Sequence, residues 1–226
     1  MSITFSRAAI AALGFLAVAT LANAHGNVTP QPMNTDALPD VGEEWLSVNP
    51  YRDAGKEIWE KAVEIGSSGF NENCARCHGL GAISGGTAPD VRFLSADEEG
   101  DSWFAERFQS GYTQDGVTKM PAFAEILDQK AAWAIRTYIE SRPGEGEIDP
   151  YTQRLAEIMD ILKAGTDVDS DALKVELSEI AAKIPTGSGA PVADSIAYRA
   201  ANLLDGTAES FQKAAETLTT GLSVAK

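Results

Sequence analysis

Cysteine and histidine are nearly absent from this chain, whose 226 residues hold two of each: Cys74, Cys77, His25 and His78. A structural zinc site needs four such ligands, and Cys74, Cys77 and His78 have only the remote His25 to complete a set. Basic residues are also scarce, with 18 Lys and Arg against 33 Asp and Glu, a formal net charge of −15. That balance disfavours nucleic acid, whose phosphates need cations to displace their counterions. No long hydrophobic run is present either. The one apolar stretch, Ala8 to Leu21, is shorter and more Ala-rich than the roughly 20 residues that cross a bilayer.

What that stretch does have is Arg7 before it and the small-residue exit Ala22-Asn23-Ala24 after it, the pattern of a secretory leader cleaved after Ala24. Cleavage removes Arg7 and no acid, leaving 17 basic and 33 acidic side chains and a net charge of −16, with no membrane span retained. Such acidity suits steering toward basic patches on a partner. Keeping a secreted protein soluble is the plainer alternative. The 44% hydrophobic content serves one good core or two small ones and excludes fibrous classes.

From His25 to Pro50 the chain carries Pro30, Pro32, Pro39 and Pro50, so residues 25–52 read as an extended arm over a folded body. Asp53 stands where an N-cap belongs, and Ile58, Ala62, Val63, Ile65 and Phe70 recur at the spacing of one helical face leading to Cys74. Gly79, Gly81, Gly85, Gly86 and Pro89 then mark a wrapping loop that can approach a bulky object closely. Asp101-Ser102 reads as the cap of a short helix with Trp103, Phe104 and Phe108; Gly111 to Met120 reads as loop; Asp128 to Arg142 reads as a strong helix. The breaker cluster Ser141 to Glu147 ends this region, and aromatics nearly vanish beyond it. Helical periodicity resumes over Tyr151–Ala164, Asp171–Ile184, Asp194–Leu204 and Ala208–Leu222. The expected plan is residues 1–24 leader, 25–52 arm, 53–142 cofactor domain, 143–149 linker and 150–226 helical extension.

Cys74-Ala75-Arg76-Cys77-His78 is the attachment signature of c-type haem. Thiols three residues apart can meet the two vinyl groups along one porphyrin edge, and His78 falls under the iron. Attachment of one covalent haem c also consumes both cysteines, which an oxidising compartment would otherwise attack. A thiol-disulfide oxidoreductase would use the same two cysteines in a strand-helix context, whereas these segments read as helix and loop. For the sixth iron ligand the mature chain offers Met33, Met120, Met159 and His25. Met120 precedes Pro121 in a segment between two expected helices and is the favoured choice. Met33 lies in the arm, and Met159 sits beside Ile158 and Ile161, where packing accounts for it. With His78 and Met120 as ligands the iron has no open position, and the thioether raises the reduction potential.

Residues Asp53 to Arg142 resemble a class I cytochrome c. The resemblance implies an all-α fold wrapped around one covalent haem, here with an N-terminal arm and a C-terminal helical extension. It implies Cys74 and Cys77 as thioether anchors, His78 as proximal and Met120 as distal ligand, and the Pro89 carbonyl as acceptor for the free His78 nitrogen. It also sets Gly66 and Phe70 against Tyr138 and Ile135 where first and last helices cross. The segments His25-Gly26-Asn27-Val28-Thr29-Pro30-Gln31, Gly42-Glu43-Glu44-Trp45, Asn49-Pro50-Tyr51-Arg52 and Asn73 to Leu80, with Ala82-Ile83-Ser84-Gly85-Gly86, are similar to the cytochrome c-550 family. That family implies a periplasmic carrier whose donor is a PQQ-dependent quinoprotein alcohol dehydrogenase and whose acceptor is a terminal oxidase or another cytochrome. Other readings are a carrier for a different periplasmic dehydrogenase, oxidising methanol or sulfur compounds, and a haem enzyme or ligand-binding module with a labile Met120. The latter needs an open iron position or a second haem, and only one Cys-x-x-Cys-His is present.

Overall fold

In a computed structural model of the chain, residues 30–224 are described. The expected leader, His25 and the first part of the arm lie outside the described residues. Helix α1 runs Lys56–Asn73 and buries Trp59, Ala62, Val63, Gly66 and Phe70. Its start corrects one expectation: Gly55, at φ 91°, turns the chain into the helix without a side-chain cap. Asp53 lies too early to reach the orphan N–H groups of the first turn.

The partner of α1 is α4, Gln129–Glu140, capped by Asp128, whose carboxylate accepts from Ala131 N at 2.8 Å. Only a glycine permits their crossing, because a Cβ at Gly66 would lie 1.9 Å from Ala134 O. One turn on, the rings of Phe70 and Tyr138 meet at 5.5 Å between centroids. The crossing is therefore the one the family resemblance implies. Gly66→Ala is expected to destabilise the protein by about 3 kcal/mol, the upper end of what overpacking costs, read as a lower denaturation midpoint at unchanged slope.

Helix α3, Glu98–Ser110, also corrects an expectation. Asp97 caps it, accepting from Gly100 N at 2.8 Å, and Asp101 lies inside the helix, fully buried. Two guanidinium groups draw Asp101 inward. Arg136 Nε reaches it at 2.7 Å and Arg52 Nη2 at 2.8 Å, and both also contact Glu140, at 3.4 and 2.6 Å. Asn49 completes the cluster, its backbone N–H donating to Asp101 and its amide to Glu140 and Thr137. Two cations and two anions cancel, and the set pins the arm, through Asn49 and Arg52, onto α3 and α4. Burial pushes the Glu140 carboxyl upward in pKa, against the pull of Arg52 and Arg136. Asp101→Ala would leave two arginines sharing one carboxylate in the interior and is expected to cost about 3–5 kcal/mol of stability, measured by guanidinium unfolding.

The stretch after α3 is not loop but a hairpin, β1 (Tyr112–Gln114) paired antiparallel with β2 (Val117–Met120). Its turn is Asp115-Gly116, both at positive φ (51° and 75°), the requirement of the tight turns that suit hairpin twist.

Four further helices follow: α5 (Thr152–Ala164), α6 (Ser170–Ala181), α7 (Ile196–Leu203) and α8 (Ala208–Val224). Their boundaries match the periodicity to within a few residues. They bury a second core that includes Leu155, Ile158, Leu162, Leu177, Ala197, Ala200 and Leu218. Several bonds join it to the first. Gly187 N donates to Arg142 O, Asp194 N donates to Ser141 O, and Arg142 pairs with Asp194 at 3.0 Å. Tyr198 sets its ring edge-on to Trp59 at 5.5 Å and donates its hydroxyl to Glu60 at 2.8 Å. Among the described residues no helix is long and apolar enough to cross a membrane.

Candidate functional site

Cys74 ends α1, its N–H donating to Phe70 O, and opens the single helical turn α2, Ala75–His78. Within that turn Cys77 N and His78 N both donate to Cys74 O, at 3.1 and 3.0 Å. Positions i, i+3 and i+4 of one turn share a face, so Cys74, Cys77 and His78 leave the turn on one side. Gly79, at φ 81°, then folds the chain back so closely that a Cβ there would lie 1.9 Å from Ile83 O.

His78 Nδ1 lies 2.9 Å from Pro89 O. A carbonyl only accepts, so Nδ1 carries the proton and Nε2 is left with its lone pair available for a metal. Pro89 is itself held by the turn that follows it. Asp90 accepts from Arg92 N at 3.1 Å and pairs with the Arg92 guanidinium at 2.7 Å. Burial of the Asp90 carboxyl opposes ionisation, but the bonds from Arg92 win and hold it below the usual carboxylate range. This Asp-x-Arg clamp was missed in the sequence, where two charges two residues apart carry no distinctive signal.

Both cysteines are unpaired and half-buried. Burial, reinforced by Cys77 nearby, pushes the Cys74 thiol up to about 12. A nucleophilic thiol needs the opposite shift, so Cys74 is not placed to attack a disulfide. Among the described residues, Cys74, Cys77 and His78 share one turn but do not converge as a group that could hold a metal ion by themselves, and His25, the fourth donor a zinc site would need, lies outside the described residues.

Met120 ends β2, half-buried against the first core. The other two methionines among the described residues are engaged elsewhere. Met33 packs its thioether over Gly69, where a Cβ would come within 2.2 Å of its sulfur, and Met159 Sδ lies 3.1 Å from Thr219 Oγ1 between α5 and α8. Around the motif and the hairpin, large apolar side chains stand in the open: Leu80 is 76% exposed, and Ile83, Tyr112, Val117 and Ile126 are each more than two-fifths exposed. Two thiols on one face, an imidazole oriented through Nδ1, and uncovered apolar residues in the same segments fit a porphyrin, which offers apolar faces, two vinyl groups and an iron.

Residues 61–139 match the family described as cytochrome c oxidase, cbb3-type, subunit III. The chain is 50% identical over 129 residues to cytochrome c550 of Pseudomonas aeruginosa, a match covering 57% of this chain and 88% of the relative. It is 34% identical over 85 residues to the quinohemoprotein alcohol dehydrogenase ADH IIB of Pseudomonas putida, covering 37% of this chain and 11% of that protein. It is 30% identical over 101 residues to the cbb3-type cytochrome c oxidase subunit FixPc of Rhizobium leguminosarum bv. viciae, covering 38% and 32%. No solved structure matches.

Proposed function

The chain belongs to the class I c-type cytochromes of the c-550 type, and from that premise we propose that it carries single electrons in the periplasm, from a PQQ-dependent alcohol dehydrogenase toward a terminal oxidase or another cytochrome. It is a haem c protein and an electron carrier, not an enzyme. Haem c supplies, when bound, an iron that cycles between its ferric and ferrous states.

In this reading Cys74 and Cys77 would hold the haem through thioethers, His78 Nε2 and Met120 Sδ would ligate its iron, and Pro89 O would keep the imidazole oriented. The observation that carries it is the 2.9 Å contact between His78 Nδ1 and Pro89 O, which leaves the opposite nitrogen available on the same turn that carries Cys74 and Cys77. Hydrogen bonding at Nδ1 raises the basicity of Nε2, while a thioether on the far side favours the reduced state. With His78 and Met120 both engaged, the haem would supply one-electron exchange and would offer neither oxygen nor an organic substrate a place to bind. Exchange of one electron through a small, weak protein contact is what remains, and weakness lets partners part after each transfer.

The donor is supported by the similarity to c550 and, over a shorter stretch, to a quinohemoprotein alcohol dehydrogenase. Export is supported by the leader-like residues 1–24. Rapid mixing of the oxidised protein with a reduced quinoprotein alcohol dehydrogenase, followed at the haem bands, tests the donor. Reduction within the mixing experiment is expected, and its absence would move the assignment to a different periplasmic dehydrogenase.

A further inference from the structure

The last turn of α3 meets the segment bearing Met120 backbone against backbone. Gly111 closes α3 at φ 68° and ψ −158°. That conformation is essentially confined to glycine. A Cβ on residue 111 would lie 2.4 Å from Met120 O, 2.8 Å from Ala122 N and 2.8 Å from the carbonyl carbon of Pro121. All three are main-chain atoms and cannot swing aside as the end of a long side chain could. Two more ties bracket the methionine. Tyr112 pairs with Met120 across the hairpin, with a register irregularity between Tyr112 and Thr113. On the far side Phe123 N donates to Phe108 O at 2.9 Å, and the rings of Phe108 and Phe123 sit 5.5 Å apart.

We infer that Gly111 is a positioning residue for Met120: the missing side chain at the end of α3 lets residues 120–122 seat against the helix and so fixes how far the Met120 thioether stands from His78. The inference rests on the reading of Met120 as the distal ligand. A ligand must be held within about 0.5 Å of its bonding geometry by groups that cannot themselves relax. Here the holding group is the rigid end of a helix whose Phe104 and Phe108 are buried in the core.

The test uses the full-length holoprotein with covalent haem. Gly111→Ala is expected to weaken or abolish the sulfur-to-iron charge-transfer band of the oxidised form and to raise the affinity for added imidazole about tenfold, equivalent to about 1.4 kcal/mol, with haem still attached. Gly55→Ala is the control for backbone strain alone. Gly55 lies in the same glycine-favoured region, at φ 91° and ψ 160°, but nothing lies within 4 Å of its would-be Cβ, so the band should stay intact. A Gly111→Ala protein with a full band and wild-type imidazole affinity overturns the inference. If Met120→Ala also keeps the band, the ligand assignment itself falls and the inference with it, whereas loss in Met120→Ala alone condemns only the role of Gly111. Should Gly111→Ala not fold, Phe123→Leu loosens the same cradle from the other side. It is expected to raise imidazole affinity, and wild-type affinity there would count against the cradle.

Discussion

Replacing Cys74 and Cys77 together by alanine is expected to abolish covalent haem: staining of the denatured protein after electrophoresis should vanish. The reason is chemical rather than conformational. Cys74 and Cys77 are the chain's two thiols, so no second pair can substitute. Alanine is a good helix former, and the turn from Cys74 to His78 is held by main-chain bonds to Cys74 O that the change does not touch. The variant should therefore keep its helical content and its contact between His78 and Pro89 while losing attachment. Haem that survives denaturation in this variant would contradict the assignment of both residues.

The second large effect is expected at Met120. Met120→Ala should leave the haem covalently attached, abolish the sulfur-to-iron charge-transfer band of the oxidised protein and lower the midpoint potential. A thioether favours ferrous iron, and alanine offers nothing in its place. Persistence of the band would direct attention to Met33 or Met159. The structure makes either substitution costly. Met33 would have to leave its seat over Gly69, and Met159 would have to leave the α5 and α8 side chains where Thr219 meets it. The same experiment measures how much of the carrier's potential is set by Met120 rather than by burial.

Main-chain physics made much of this molecule readable in advance. The face Ala62, Val63 and Phe70 repeats at a helical period strong enough to survive any context, and Asp128 is followed by an unbroken run of helix formers, so α1 and α4 follow from the chain. The tail helices are equally periodic and are separated by glycine and proline. What could not be read depends on choices between equivalent local signals. Asp97 and Asp101 are both fair caps. Only the arrival of Arg52 and Arg136, 49 and 35 residues away in sequence, draws Asp101 inward and leaves the cap to Asp97. Asp53 likewise has the right chemistry, but the positive φ of Gly55 decides where the helix starts. The hairpin was legible in principle, since Asp115-Gly116 is the pair such turns demand. The short polar strands around it lack the alternation that would have exposed it.

Of the site itself, the Cys74 to His78 run speaks for its cofactor without help from the fold. Pro89 and Met120 are different, because each is meaningful only when a loop returns it toward the imidazole. Pro89 does so visibly, at 2.9 Å from Nδ1. The tail was the least legible in role. Its helices form their own core, yet Tyr198 reaches Trp59 and Glu60 on α1, the helix that delivers Cys74.

A carrier with one haem whose iron is closed by two side chains has a distinct signature in a reductive titration of the purified holoprotein at neutral pH under carbon monoxide. A single one-electron transition is expected, unshifted by the gas and with the haem bands of the gas-free protein. A second transition, or a potential raised by carbon monoxide with the spectrum of a ligated ferrous haem, would contradict it.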